Sequence, residues 1–176
     1  MQIRNATPHD ADDIRGVHLS AFPDAEGAAV AGLAVDLLSE RTIPPTISLV
    51  AEVDGVLRGH VCFSPVTRHG TADFVGYILA PLAVRPERQG RGIGSHLIRK
   101  GIERVSEHDP EVLLVYGDPG YYGRFGFRAE RAAGYIPPYP LKFPFGWQGL
   151  SLRDNGPGGA GIRIACVPPL CDATLW

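Results

Sequence analysis

A run of glycines between two strongly patterned segments constrains this chain more than any other feature. Gln89-Gly90-Arg91-Gly92-Ile93-Gly94 follows the apolar stretch Leu79-Ala-Pro-Leu-Ala-Val84. It precedes a segment in which Ile93, Leu97, Ile98, Gly101, Ile102 and Val105 recur at helical spacing. The chain must therefore turn sharply from a buried strand into an amphipathic helix. The apolar run 111–116, with Val-Leu-Leu-Val-Tyr at its centre, returns as the next strand. A strand–helix–strand crossover of this kind belongs to a mixed α/β fold.

The flanking sequence fits the same class. Ile3 and Arg4 open a first strand. Thr7-Pro8-His9-Asp10 then reads as a helix start, with a capping threonine, proline at the first helical position and an acid three residues after the cap. Ile14, Val17, His18, Ala21 and Phe22 share the inner face of that helix, and Val30, Leu33, Ala34, Leu37 and Leu38 that of a second over about 26–40. Pro44-Pro45 is expected to end the second helix. Strands are expected at 47–53 and 58–63, joined by the hairpin signal Asp54-Gly55, and at 72–84 after a turn near Arg68-His69-Gly70. Pro81 predicts a bulge or an edge in the last of these. Gly117-Asp118-Pro119-Gly120 breaks the 111–116 strand. A short helix over 121–125 ends at Gly126, a strand starts at Phe127, and a last strand runs over 161–167. The Pro- and Gly-rich stretch from Gly134 to Gly161 reads as long loops with one short strand.

Composition narrows the function. The 176 residues suit one domain and bury roughly 70% of the unfolded surface without staples. Net charge is −2, without the basic excess of a general nucleic-acid binder. No apolar run is long enough to span a membrane, and the N-terminus carries no signal-peptide pattern. Cys62, Cys166 and Cys171, odd in number and lacking CxxC spacing, read as reduced packing thiols of a cytosolic protein. The six histidines show no metal-ligand spacing, so no metal is expected. No serine sits in a GxSxG elbow, which disfavours a hydrolase.

The glycine turn has chemistry of its own. A helix start carries unpaired N–H groups and the positive end of the helix dipole, which together suit phosphate. Arg85, Arg88 and Arg91 add charge that matches it. The turn is a poor match to a Walker loop, having no Gly-Lys-Ser/Thr. It is also a poor match to a dinucleotide fingerprint, whose last glycine is replaced by Ser95. The glycines alone are equally compatible with a plain strand-to-helix turn.

Gln89-Gly90-Arg91-Gly92-Ile93-Gly94 resembles the Gln/Arg-x-x-Gly-x-Gly/Ala signature of the GCN5-related N-acetyltransferases, the GNAT family. Leu82-Ala83-Val84-Arg85-Pro86 looks like that family's strand before the loop. Tyr121-Tyr122-Gly123-Arg124-Phe125-Gly126-Phe127 looks like its second motif. The resemblance covers the whole chain, is strongest from Leu79 to Phe127, and is closest to a bacterial single-domain branch of uncertain substrate. It implies a mixed, splayed central sheet of about six to seven strands flanked by about four helices. Residues 1–176 would form one domain, with 128–176 on the acceptor side.

The resemblance further implies acetyl-CoA as cosubstrate, lying between two splayed parallel strands, here 72–84 and 111–116. Leu82, Ala83 and Val84 would pair with the pantetheine arm, and Gln89, Gly90, Arg91, Gly92, Ile93, Gly94 and Ser95 would hold the pyrophosphate. The acetyl group would pass directly to a primary amine of a small molecule or protein. Tyr122 aligns with the general acid that protonates the leaving thiolate, and Tyr121 reads as packing. Glu26, Glu52, His60 and Asp118 are base candidates by type alone. The alternative is an acyl-CoA-binding sensor without turnover; a nucleotide module is a third reading. The expected setting is cytoplasmic, as monomer or homodimer, with neither nucleic acid nor membrane as partner. The aromatic segment from Tyr135 to Trp147 could line the acceptor pocket, cover a sheet edge or meet a partner.

Overall fold

The computed structural model describes residues 1–22, 24–153 and 161–176. Its contacts divide the chain into two compact units, Met1–Phe63 with Ala80–Arg104, and Ser64–Leu79 with Val105–Trp176.

In the first unit, β1 (Gln2–Asn5) leads through a 3-10 turn at Pro8–Asp10 into α1 (Ala11–Ala21). The predicted helix start is present with added reinforcement. Asp10 accepts hydrogen bonds from the Thr7 N–H (2.7 Å) and hydroxyl (2.9 Å), and its two oxygens take both terminal nitrogens of Arg4 at 2.8 Å. Helix α2 (Asp24–Ser39) follows. It stops before Pro44-Pro45, because its apolar face ends at Leu38 and the Glu40 N–H closes on the Leu37 carbonyl in a tighter turn. The hairpin of β2 (Ile47–Val53) and β3 (Val56–Arg68) turns at Asp54-Gly55, both with positive φ (53° and 72°). Ile14, Val17, Ala34, Val50, Leu57 and Ala83 form one buried cluster that clamps α1 and α2 to the strands.

The crossover helix α3 (Ile93–Ser106) lies very close to β3. A Cβ at Gly59 would meet Ile93 and Leu97 at 3.0 Å, and one at Gly101 would overlap the ring of the fully buried Phe63. Alanine in place of Gly101 would gain about 1 kcal/mol of helix propensity. The overlap outweighs that gain, since overpacking a filled core costs about 1–3 kcal/mol.

In the second unit, β4 (Phe74–Val84, whose last residues belong to the first unit) pairs in parallel with β5 (Val112–Tyr116) from Gly76↔Val112 to Leu79↔Val115. Strand β5 pairs antiparallel with β7 (Trp147–Ser151). Strand β5 thus has a neighbour on each edge, and its consecutive residues Val112 to Val115 are all buried, so both faces are covered, in keeping with its unbroken apolar run. The C-terminal β8 (Ile162–Ala165) lies against the end of β3 and takes the two-residue β6 (Tyr135–Ile136) on its other side. Among the described residues the strands make one eight-stranded sheet with path order β1-β2-β3-β4-β5-β7, β8 and β6 branching from β3 off that path.

The expected mixed α/β sheet is present, with eight strands and five helices among the described residues against about six to seven and about four. The short helix expected over 121–125 is α4 (Pro119–Tyr122) followed by a 3-10 turn at Gly123–Phe125, and the additional one is α5 (Ala129–Ala132). Several details are corrected. No strand starts at Phe127. Arg128 makes a single bridge to Gly149, and the helix-forming Ala-Glu-Arg-Ala then takes over. Strand β3 runs past 63 to Arg68, through Ser64-Pro65. Its pairing with β2 ends at Ile47↔Phe63, so Pro65 sits where no β2 partner asks for its N–H. Pro81 follows the same logic in β4, beyond the last residue paired with β5. Strand β4 starts at Phe74 rather than 72, because Ala72 is in the turn with φ 55°. Residues 154–160 of the Pro- and Gly-rich stretch lie outside the described residues.

Candidate active site

The glycine turn lies wholly within the first unit. Strand β4 ends with Leu82 and Val84 half-buried and Ala83 buried. The Arg85 N–H then bonds the Arg58 carbonyl (2.9 Å), and its Nε bonds the Leu57 carbonyl (3.1 Å). A 3-10 turn at Pro86–Arg88 follows. The Gln89 side chain folds back, donating from Nε2 to the Val84 carbonyl at 3.0 Å. Its amide group is thus spent on tying the loop to the strand end.

Gly90 and Gly92 have φ of 71° and 82°, a region where L side chains are strained, so the turn requires glycine there. A Cβ at Gly90 would meet nothing within 4 Å, so the surface is open at that point. The first backbone bond of α3 is from the His96 N–H to the Gly92 carbonyl (3.0 Å). Ile93, Gly94 and Ser95 therefore supply the opening N–H groups, which have no carbonyl one turn earlier. Ile93 is a core side chain, so only its amide is available to a ligand. Glu87, the one acid between Arg85 and Ser95, is engaged by Arg58 at 3.2 Å. These residues fit a phosphate-bearing ligand: a positive helix end, arginines around it, and no unengaged carboxylate in the loop.

Tyr122 belongs to the second unit. After β5, Asp118 caps α4 by accepting from the Gly120 N–H (2.9 Å), and its carbonyl takes the Tyr121 and Tyr122 N–H groups at 3.1 and 3.0 Å. Gly126, φ 93°, closes the turn. The Tyr122 ring stands edge-on to Tyr121 (5.1 Å) and to the buried Phe127 (5.9 Å). Burial raises the Tyr122 phenol above its ordinary value, with Tyr121 and Asp118 pushing the same way. It therefore stays protonated through the neutral range, as an acid must. Tyr121 sits under the Arg124 guanidinium at 4.5 Å and beside Phe125, in keeping with packing.

Each base candidate is either engaged elsewhere or exposed. His60 is fully buried, with both ring nitrogens engaged by His18 and Ser48. Glu52 is held by Arg4 at 3.3 Å, Asp118 is the α4 cap, and Glu26 is exposed. Burial pushes the thiols of Cys62 and Cys166 up to about 12. Cys171 is exposed, which corrects its reading as a packing residue. Among the described residues no three His, Cys, Asp or Glu side chains cluster as a metal site, and no helix is long and apolar enough to cross a membrane.

The aromatic segment is packed in part and exposed in part. The Trp147 indole donates to the Tyr135 carbonyl (2.9 Å), and Trp176 stacks on Tyr116 and leans on Trp147 and Tyr139. Phe143 and Phe145 stay 50% and 68% exposed, although the Phe143 N–H is anchored on the Tyr116 hydroxyl at 2.8 Å. The sequence reading missed Gly117 and the buried Gln148. Gly117 looked only like a strand breaker, and nothing local marks Gln148.

Comparison with known proteins joins these two halves in one family. Residues 13–127 match the family model described as Acetyltransferase (GNAT) family. The chain is 40% identical over 134 residues to the uncharacterized N-acetyltransferase YjhQ of Escherichia coli, covering 75% of this chain and 72% of the relative. A crystal structure of the Escherichia coli GNAT protein YhbS in complex with CoA superposes with a TM-score of 0.79 at 29% identity, covering 93% and 87% of the two chains. A Brucella melitensis GNAT acetyltransferase in complex with acetyl-CoA gives 0.68 at 36% identity, covering 96% of each. The matched region contains both the glycine turn before α3 and the paired tyrosines of α4, and the chain belongs to the GNAT acetyltransferase family.

Proposed function

We propose that residues 1–176 act as one cytoplasmic N-acetyltransferase domain, moving an acetyl group from acetyl-CoA directly to a primary amine. The observation that carries this reading is the open, positively charged start of α3 behind Gly90 and Gly92. Amides from Gln89 to Ser95 would hold the pyrophosphate, and the backbone at Leu82, Ala83 and Val84 would pair with the pantetheine arm. Two relatives crystallised with CoA or acetyl-CoA support the choice of ligand. Residues 128–176 would face the acceptor.

The reaction needs little machinery. The amine nitrogen, neutral when it attacks, bonds to the acetyl carbonyl carbon, and the carbon–sulfur bond breaks. The thiolate takes a proton from the Tyr122 hydroxyl, and the amine gives one up to water or a side chain. A general acid of this kind contributes about 10²–10⁴-fold. Tyr122→Phe keeps the ring and its packing while removing that proton. Turnover, followed as thiol release with a panel of primary amines, should fall at least tenfold while acetyl-CoA binding stays within twofold. Loss of binding instead would make Tyr122 a structural residue. Because burial raises the phenol, the parent should show no alkaline loss of kcat from this group below about pH 10.

A further inference from the structure

We infer that Gly117, held in place by Gln148, is a positioning residue that sets where the Tyr122 ring lies. This rests on the acid role proposed for Tyr122, and its test separates the two. Gly117 follows the last residue of β5, and its φ lies outside the left-handed region, so its backbone does not require glycine. Space requires it. A Cβ on Gly117 would overlap Cε2 of Tyr122 and stand 3.0 Å from Cδ2 and 3.5 Å from Cζ. The ring therefore rests directly on the Gly117 backbone. Tyr121 and Phe127 meet the ring edge-on, so it has little room to yield.

The Gly117 peptide groups are themselves clamped. The N–H donates to the Gly146 carbonyl (2.9 Å), continuing the β5–β7 ladder by one step. The carbonyl accepts from Nε2 of Gln148 at 3.2 Å, and the same nitrogen reaches the Gly146 carbonyl at 3.4 Å. Gln148 is 2% exposed. A buried amide is costly unless it is bonded, so its donation to the carbonyls around this joint accounts for a polar residue there. Gly146 faces the joint from the other side, where a Cβ would press on the Gly117 carbonyl oxygen at 3.0 Å and on the Tyr116 ring at 3.1 Å. The turn carrying Tyr122 thus starts from a fixed point rather than from a slack loop.

A displacement of about 1 Å of a reacting group can cost on the order of 10²-fold in rate. Gly117→Ala should therefore lower kcat by about 10–100-fold, with acetyl-CoA affinity within twofold. Added to Tyr122→Phe, it should lower turnover no further than twofold, because the hydroxyl it misplaces is already gone. A stability cycle reads the steric claim without any acceptor. Gly117→Ala should lower Tm by about 4–8 °C in the parent and by less than about 2 °C in Tyr122→Ala, where the ring is removed. A parent variant that fails to fold, beside a Gly117→Ala/Tyr122→Ala double variant that folds, supports the same conclusion. Equal losses in both backgrounds would overturn it, as would a rate loss that multiplies with that of Tyr122→Phe. If Tyr122→Phe itself leaves turnover unchanged, the acid role fails, while the stability cycle still decides whether Gly117 places the ring.

Discussion

His18 on α1 and His60 on β3 share one hydrogen bond, 2.8 Å between Nε2 and Nδ1, with no solvent exposure. Nε2 of His60 continues to the Ser48 hydroxyl at 2.8 Å, while Nδ1 of His18 has no partner among the described residues. Placing the His18 proton on Nε2 satisfies every bond in the chain and leaves a bare lone pair at Nδ1, so both rings are held neutral. Burial pushes His18 down to about 4 and His60 well below its usual value, with His18 adding to the effect. The unfolded chain therefore binds more protons between about pH 6.5 and 4. Stability is complete above that window and falls as pH drops through it, by on the order of 3 kcal/mol for His18 alone. Urea midpoints at pH 7.5 and 4.5 should differ accordingly, and the difference should shrink in His18→Gln. An unchanged difference would place the acid-sensitive group elsewhere. Nothing in the sequence marks this pair. His18 was legible as an inner-face residue of α1, but its partner lies 42 positions away and only the tertiary fold brings them together.

Helix α3 and the turn before it were the most legible elements, because their signals are local: glycines where φ is positive, and apolar residues at helical spacing. The α4 turn was legible in part: Gly126 closes it as expected, but its start, with Asp118 as cap and Pro119 in the first turn, looked only like the end of the preceding strand. Strand β3 was only partly legible. Pro65 looks like a stop until the β2 ladder is seen to end at Phe63. The role of Gly117 was hidden, since a glycine that makes room for a ring looks the same in sequence as one that breaks a strand. At Gly92, φ 82°, a side chain is strained and its Cβ would touch the His96 ring at 3.5 Å. Gly92→Ala should therefore reshape the opening of α3, with a strain of about 1–2 kcal/mol. On the proposed function, acetyl-CoA affinity measured by titration calorimetry should weaken by about tenfold or more, with Tm changing by only a few degrees. Unchanged affinity would remove the turn from the binding site.

Across the whole molecule, the chain combines a sheet built for close helix packing with two specialised turns, one before α3 and one after β5. Both turns lie within the stretch that matches the family, and the proposed chemistry assigns each a part: phosphate binding to the first, proton donation to the second. The acceptor is the part that local signals do not encode. The exposed Phe143 and Phe145, the Tyr116 hydroxyl that anchors the Phe143 N–H, and Trp147 packed on Trp176 are side chains whose meaning depends on what they meet. The central claim, that this chain uses acetyl-CoA, comes before any acceptor and can be tested without one. The measurement is thermal unfolding with excess acetyl-CoA, beside CoA, ATP and NAD. A ligand at 100 times its dissociation constant adds about 2.7 kcal/mol, which for a chain of this size raises Tm by about 5–10 °C. The account predicts that rise with acetyl-CoA and CoA and none with ATP or NAD. No shift with either CoA species would contradict it and return the glycine turn to a purely structural role.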